Sequence, residues 1–183
     1  MSMTTNAAVQ ALLDKEAIRE AVLRYCRGVD RLEPDLIRSA YHPDGYDEHG
    51  ELHGGRDEFI EALVPLLRDN YVSTSHNVAN QLIELNGDKA LSESYFVAVH
   101  VTEYEGEQWQ EIVFGRYVDN FERRAGEWRI AHRVCVIDSR NTRAVRPSRL
   151  ATDATKLTRG RHFPDDTVYT QQAALAAESR STV

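Results

Sequence analysis

The chain has 183 residues, enough for one domain with a substantial core, and its 42% apolar and 28% charged residues are typical of a soluble globular protein. The formal net charge of -7 argues against nucleic acid or an anionic membrane surface as a partner. No apolar run has the length of a membrane span, and residues 1–10 lack the pattern of a secretory signal. Because the two cysteines, Cys26 and Cys135, lie far apart, the sequence predicts a reduced, cytoplasmic protein.

The first part of the chain has the apolar spacing of helices. Apolar residues, Leu12 among them, recur every three or four positions over residues 7–30, which predicts one amphipathic helix. Pro34 suits the first position of a second helix over 34–41, and a third is predicted over 57–68, with Pro65 as a source of a kink. Residues 42–55 are rich in Gly, Pro and charge, so we expect a loop with at most a short strand near Tyr46.

The middle of the chain has the pattern of strands. Runs rich in Val, Ile, Tyr and Phe cover 72–85, 90–104, 108–123 and 127–138, separated by short turns such as Asn86-Gly87-Asp88. Asn-Gly between such runs is a hairpin signal, because both residues tolerate positive φ. The sequence therefore predicts an α+β domain over 1–140, with helices first and an antiparallel meander afterwards.

Residues 141–183 have weaker patterning and several arginines. We expect a C-terminal arm, extended, with a short helix near 170–178, lying over this domain or over a neighbouring subunit. A disordered tail is the alternative.

Two residues have the strongest claim to chemistry. Asp30 borders the buried stripe of the first helix near its C-terminus, where the helix dipole disfavours a negative charge. It could instead face solvent or pair with Arg27 or Arg31. His76 opens a strand whose alternating face continues through Val78, Asn80 and Leu82, and a nearby carboxylate would make it a base, although a structural role is the alternative.

Further polar residues occur at positions predicted to be near the core. Arg133 alternates with Ala131 and Cys135 on the last strand, so it needs an anionic partner or an open cavity unless it covers the outside of the sheet. Tyr25 lies on the apolar stripe of the first helix, where it could donate a hydrogen bond in a pocket or be a core tyrosine. Four others are equally ambiguous: Tyr46, Tyr95, His100 and Arg116.

Common catalytic signatures do not occur. The sequence has no glycine-rich phosphate loop, no GxSxG motif and no HExxH motif. Acidic and histidine residues crowd the segment 42–53, but their spacing matches no recognised metal site, so we predict a solvated loop. No metal or cofactor is therefore expected.

Several segments resemble the SnoaL-like domain of the nuclear transport factor 2-like superfamily over about residues 8–140. They are the strings at 25–30, 41–44 and 54–60, His76 with Asn80, and the strings at 87–90, 94–95, 115–119 and 126–130. The resemblance implies a cone-shaped, strongly curved sheet wrapped around three helices, with a deep pocket inside.

The resemblance also implies chemistry. Similar members include scytalone dehydratase, hexachlorocyclohexane dehydrochlorinase, bile-acid dehydratase and a diarylpropane lyase that expels formaldehyde. Several use a histidine with an aspartate at the end of the first helix, which His76 and Asp30 match. Tyr25 matches a tyrosine of the bile-acid enzyme, and Arg133 matches an arginine of the dehydrochlorinase. The dehydrochlorinase also has a lysine on its first helix, where this chain has Tyr25. That difference puts dehydrohalogenation in doubt. His100 stands near the position of the bile-acid enzyme's second aspartate.

These observations predict a cofactor-independent lyase that acts on a hydrophobic, aromatic or polycyclic small molecule. The expected catalytic residues are His76, Asp30, Tyr25 and Arg133, and the expected substrate-binding residues are Tyr46, Tyr95, His100, Arg116 and Asn80. An isomerase or polyketide-type cyclase, a non-catalytic ligand-binding module and an oxygenase accessory subunit are the alternatives. A homodimer or homotrimer is expected, because an open sheet leaves a face to cover.

Overall fold

The computed structural model describes residues 5–146 and 156–181 of the protein. Its elements are, in chain order, α1 (Thr5–Arg31), α2 (Pro34–Ala40), β1 (Tyr41–His49), β2 (Leu52–Gly55), α3 (Arg56–Asn70), β3 (Ser73–Asn86), β4 (Lys89–Tyr104), β5 (Glu107–Arg124), β6 (Glu127–Ala144) and α4 (Thr167–Ser181). The α+β order predicted from the sequence is confirmed.

The three N-terminal helices pack against the sheet through their apolar faces. In α1 the buried positions Ile18, Ala21, Val22 and Val29 keep the spacing of one helical stripe. Leu12, expected on that stripe, is instead 67% exposed, because the first turns of α1 extend past the core. No helix in the described parts of the chain is long and apolar enough to cross a membrane.

Six strands form one sheet in the order β2-β1-β6-β5-β4-β3. The predicted antiparallel meander of β3 to β6 is confirmed, and both residues of the turn Ala125-Gly126 have positive φ. The loop predicted over 42–55 is wrong: this segment forms β1 and β2, and β1 pairs in parallel with β6. Its polar composition concealed the strand, since β1 contains almost no β-branched residues.

The sheet curves around the helices, and its bulges decide which side chains face inward. Between Val78 and Gln81 β3 has one residue more than β4, and such a bulge reverses the alternation of faces. The predicted alternation from His76 through Asn80 is therefore wrong beyond Val78. Asn80 is exposed, whereas Ile83 is buried.

The C-terminal segment packs on the end of α1 of its own chain. The backbone N–H of Phe163 donates to the carbonyl of Arg31, and the Tyr169 hydroxyl donates to Glu33 at 2.5 Å. The helix of this segment, α4, is longer than the one predicted near 170–178. The strand β6 runs to Ala144, and the domain boundary at 140 stays a prediction.

Candidate active site

A pocket of about 510 Å³ lies between α1, α3 and the inner face of the sheet. Most of its wall is apolar, and the apolar part is made of Val29, Leu52, Leu63, Leu66, Leu67, Phe96, Ala98, Val113 and Ile137. A few polar side chains also reach it, among them His76, His100, His49 and Tyr25. An apolar cavity with a few convergent polar groups is the usual form of a small-molecule site.

The structure brings Asp30 and His76 into direct contact at this pocket. The Nδ1 atom of His76 lies 2.7 Å from Oδ1 of Asp30, and the backbone N–H of His76 donates to Oδ2 at 2.9 Å. The hydroxyl of Thr74 donates to Oδ1 at 3.0 Å. The end of α1 thus supplies the carboxylate, and the first residues of β3 supply all three donors, so neither side chain can turn without breaking a bond.

The carboxylate fixes the protonation of this pair. Burial alone would raise the pKa of Asp30, but the hydrogen bonds from His76 and Thr74 outweigh it and hold the pKa below its ordinary value of 3.8. Asp30 is therefore ionised at neutral pH and requires a proton on Nδ1 of His76. Within the described residues nothing bonds Nε2 of His76, which leaves that nitrogen able to accept a proton from a ligand.

His100 is the second histidine at this end of the pocket. Its ring centroid lies 5.3 Å from that of His76 and 5.0 Å from that of Tyr71. Burial, together with the neighbouring His76, lowers its pKa to about 4, so the ring is neutral at pH 7. Both ring nitrogens are buried and have no hydrogen-bond partner within the described chain, although Nδ1 lies 3.7 Å from Oε2 of Glu111. Such atoms are costly to leave unpaired, so a bound polar group would find ready partners here.

Tyr25 lies on α1 at the base of the pocket. It is 2% exposed, and its ring makes edge contacts with Tyr41 and Tyr117 at centroid distances of 5.9 and 5.6 Å. Burial raises the pKa of its phenol well above 10, so Tyr25 keeps its proton and can donate a hydrogen bond.

The structure places Arg133 beneath the pocket rather than in its wall. It is fully buried, and its Nε and Nη2 atoms both donate to Asp119 at 2.7 Å. Its guanidinium carbon also lies 4.2 Å from the ring centroid of Tyr25 and 4.0 Å from that of Tyr117. Burial alone would lower the pKa of Arg133, but the Asp119 carboxylate keeps it above its ordinary value. The sequence required either an anionic partner or an open cavity for Arg133, and the structure provides the anionic partner, Asp119. Arg133 therefore supports the residues that form the base of the pocket and cannot contact a ligand.

Four residues expected to bind substrate lie elsewhere. Tyr46 and Tyr95 are 39% and 41% exposed, and Tyr95 is covered by Arg116, which pairs with Glu93 and Asp138 on the outside of the sheet. Asn80 is exposed because of the bulge in β3. Successive side chains of a strand point to opposite faces of the sheet, and these four side chains lie on the outer face. None of these four side chains lines the pocket, and their role in substrate binding stays a prediction.

The sequence reasoning missed other polar groups of the pocket. Glu111 lies on β5 and accepts a hydrogen bond from Arg140, and both side chains line the pocket. His49 lies on β1, where its Nδ1 is 2.7 Å from Oδ1 of the buried Asp47. The spacing Asp47-x-His49 puts both on one face of a strand, a signal that the expectation of a loop concealed. Within residues 5–146 and 156–181, no cluster of three His, Cys, Asp or Glu side chains could hold a metal ion.

Comparison with known proteins agrees with this architecture. The model of the SnoaL-like domain family matches residues 10–134, more than half of the chain. The protein belongs to the SnoaL-like domain family. No curated protein sequence matches this SnoaL-like protein significantly.

Solved structures similar to this SnoaL-like protein include three bacterial proteins. One, from Novosphingobium aromaticivorans and provisionally assigned as a scytalone dehydratase, is 22% identical, with a TM-score of 0.66 over 76% of this chain and 93% of that one. A hexachlorocyclohexane dehydrochlorinase from Novosphingobium barchaimii is 16% identical, with a TM-score of 0.68 over 76% and 99%. A protein of Kribbella flavida is 19% identical, with a TM-score of 0.65 over 72% and 95%. At these identities the likeness shows the fold.

Proposed function

We propose that this SnoaL-like protein is a cofactor-independent lyase that eliminates water or a small aldehyde, such as formaldehyde, from a hydrophobic aromatic or polycyclic molecule. The observation that carries the proposal is the 2.7 Å contact between His76 and Asp30 on the wall of a largely apolar pocket. An ionised carboxylate on one ring nitrogen and an unbonded nitrogen toward the pocket are the features of a general base.

In the proposed reaction Nε2 of His76 removes a proton from a carbon or from a hydroxyl of the substrate. Asp30 keeps the imidazole in the tautomer with the proton on Nδ1, and its charge stabilises the imidazolium that forms. A proton taken from carbon leads to loss of water. A proton taken from a hydroxymethyl group leads to release of formaldehyde: the carbon–carbon bond breaks, its electron pair forms the new C=C bond, and the hydroxyl on the neighbouring carbon takes up a proton and leaves as water.

Two further side chains have proposed roles in binding. Tyr25 donates a hydrogen bond to the oxygen on which negative charge develops, since it keeps its proton at any physiological pH. His100 is neutral and its nitrogens form no hydrogen bond within the described chain, so it orients a polar substituent of the substrate close to His76. Arg133, buried on Asp119, has no direct role.

The pocket supports the proposed class of substrate. Its volume of about 510 Å³ and its apolar walls suit one or two aromatic rings, and Phe96, stacked on Tyr117 with centroids 4.3 Å apart, offers an aromatic surface. The cytoplasmic location and the homodimeric or homotrimeric state expected from the sequence stay predictions.

Turnover of two probe classes tests the proposal. A β-hydroxy-β-aryl ketone loses water to a conjugated enone, and a diarylpropane diol loses water and formaldehyde to a stilbene, and both products absorb in the near ultraviolet. We expect turnover of at least one, with a loss of roughly 10²- to 10⁴-fold in His76→Gln. His132→Gln, a change on β6 where the ring bonds Glu48, is the matched control and should behave as wild type.

Two outcomes would contradict the proposal. Unchanged turnover in His76→Gln would exclude it as the base. A product of the same mass as the substrate would indicate an isomerase or a cyclase instead.

A further inference from the structure

The pocket contains a second histidine held by a buried carboxylate. His49 lines it, and its Nδ1 lies 2.7 Å from Oδ1 of Asp47. The hydroxyl of Tyr41 donates to Oδ2 of the same carboxylate. Asp47 and Tyr41 are both fully buried, whereas the His49 side chain is 24% exposed. Within the described chain no group bonds Nε2 of His49, so this triad, Tyr41-Asp47-His49, contains the same three kinds of group as Thr74-Asp30-His76: a hydroxyl, a carboxylate and an imidazole.

His49 is the side chain that the structure places in an ion-pair contact with the buried Asp47. The neighbouring buried cation, Arg133, is paired with Asp47 in the β1–β6 register but gives two hydrogen bonds to Asp119. A buried carboxylate without a counter-charge is costly. Because Arg133 bonds Asp119, the basic side chain that bonds the carboxylate of Asp47 is His49.

The two histidines come from distant strands. His76 lies on β3 and His49 on β1, four steps apart in the sheet order. At a strand spacing of about 4.8 Å these strands would lie roughly 19 Å apart in a flat sheet. The curvature of the sheet brings both side chains to one pocket of about 510 Å³, where they reach a ligand from different strands.

An elimination needs two proton transfers at two different atoms. A base takes the proton from the substrate, and an acid gives one to the departing oxygen, because hydroxide is a poor leaving group. His100 cannot be that acid at pH 7: its ring is neutral, and it lies beside His76, 5.3 Å away between ring centroids.

We propose that His49, held by Asp47 and Tyr41, is the acid that protonates the departing oxygen while His76 acts as the base; this inference rests on the proposed lyase function. The C–H bond breaks, its proton goes to Nε2 of His76, and its electron pair forms the C=C bond. The C–O bond breaks with its electrons on oxygen, which takes the proton from Nε2 of His49 and leaves as water. One proton then returns through solvent from His76 to His49.

The dependence of the rate on the leaving group tests this role. The substrates are β-phenyl ketones that release hydroxide, phenoxide or nitrophenoxide from the β-carbon. The carbon skeleton is the same in all three, whereas the departing oxygen becomes a better leaving group along the series and needs a proton less. Each is assayed for kcat and KM with wild type, His49→Gln, His76→Gln and the control His53→Gln, an exposed histidine of β2 outside the pocket. Thermal unfolding of each variant is measured in parallel.

For His49→Gln we expect kcat with the hydroxide leaving group to fall by roughly 10²-fold or more, with KM little changed, and kcat with nitrophenoxide to stay within several-fold of wild type. His76→Gln should lose activity on all three, and His53→Gln on none. Because the leaving groups are compared within one variant, a partial loss of folded protein lowers the rate equally for all of them and does not change the comparison.

Other results would overturn the inference. If His49→Gln slows all leaving groups equally, or none, His49 is not the acid, while a loss confined to His76→Gln would leave the lyase function standing. Absence of turnover by wild type on the whole series would reject both.

Discussion

Replacement of Asp30 by Asn changes one oxygen to a nitrogen at the centre of the site. Asp30 accepts three hydrogen bonds, at 2.7 Å from Nδ1 of His76, 2.9 Å from its backbone N–H and 3.0 Å from Thr74. In Asp30→Asn the amide oxygen must face the backbone N–H, which leaves the amide NH2 facing Nδ1 and the Thr74 hydroxyl. An NH2 donates, so Nδ1 of His76 must give up its proton and the ring must carry it on Nε2.

The magnitude follows from this change of tautomer. With a proton on Nε2, His76 cannot accept another one there, so we expect kcat to fall by about 10²- to 10⁴-fold, the usual contribution of a general base. KM should change little, because the side chain keeps its volume and does not itself line the apolar pocket. A hydrogen bond to a charged group becomes one between neutral groups, so the free energy of unfolding should fall by about 1–2 kcal/mol.

The assays are ring ¹⁵N NMR for the tautomer of His76, steady-state kinetics on the enone-forming probe, and urea unfolding. Thr74→Val is the matched control: it removes one bond to Asp30 but keeps the carboxylate and both bonds from His76, so the proton should stay on Nδ1 and kcat should fall less than about tenfold. A proton that remains on Nδ1 in Asp30→Asn, or a kcat within a few-fold of wild type, would refute the reasoning.

Three further changes test the surroundings of the site. In Asp119→Ala the fully buried Arg133 loses its counter-ion, so urea unfolding should show a loss of about 3–5 kcal/mol. His100 has a pKa of about 4 in the folded protein and 6.5 in the unfolded chain, so between pH 4 and pH 6.5 it binds a proton when the protein unfolds. As the pH falls from 6.5 to 4, the free energy of unfolding of wild type should therefore decrease by up to about 3 kcal/mol more than that of His100→Gln. A Cβ at Gly115 would lie 2.5 Å from the carbonyl oxygen of Val136 and 2.7 Å from Phe96, so Gly115→Ala should cost about 1–3 kcal/mol in thermal or urea unfolding.

A specific result would contradict each of these three predictions. An unchanged urea midpoint in Asp119→Ala would mean that Arg133 finds another partner. Parallel pH profiles of wild type and His100→Gln would mean that His100 titrates normally when folded. For Gly115→Ala the control is Gly55→Ala, where a Cβ would meet nothing within 4 Å and φ is −61°; equal stability of the two variants would refute the argument from packing.

Local patterns in the sequence were sufficient for the three N-terminal helices and for the antiparallel meander. The apolar spacing of α1 and the turn at Ala125-Gly126 are local properties, so the helices and the meander were predicted from them. Asp30 was singled out because an acid at a helix C-terminus departs from a local rule, and His76 because an imidazole at a strand start becomes a base beside a carboxylate. Their contact is consistent with the lyase hypothesis, whose catalytic roles stay a proposal.

Non-local contacts decided the rest. The pairing of β1 with β6 joins segments more than 80 residues apart, and because β1 is polar its strand was missed, together with the alternation of Asp47 and His49. One extra residue in β3 turned Asn80 outward, an effect that simple alternation cannot predict.

Arg133 shows most clearly the boundary between the two kinds of information. The sequence by itself determined that an arginine on that strand face requires an anion or an open cavity. Only the tertiary structure decided between them, because Asp119 comes from β5 and the rings of Tyr25 and Tyr117 come from α1 and β5. Whether a side chain borders a pocket or lies sealed below it depends on what packs above it, and those atoms belong to distant parts of the chain.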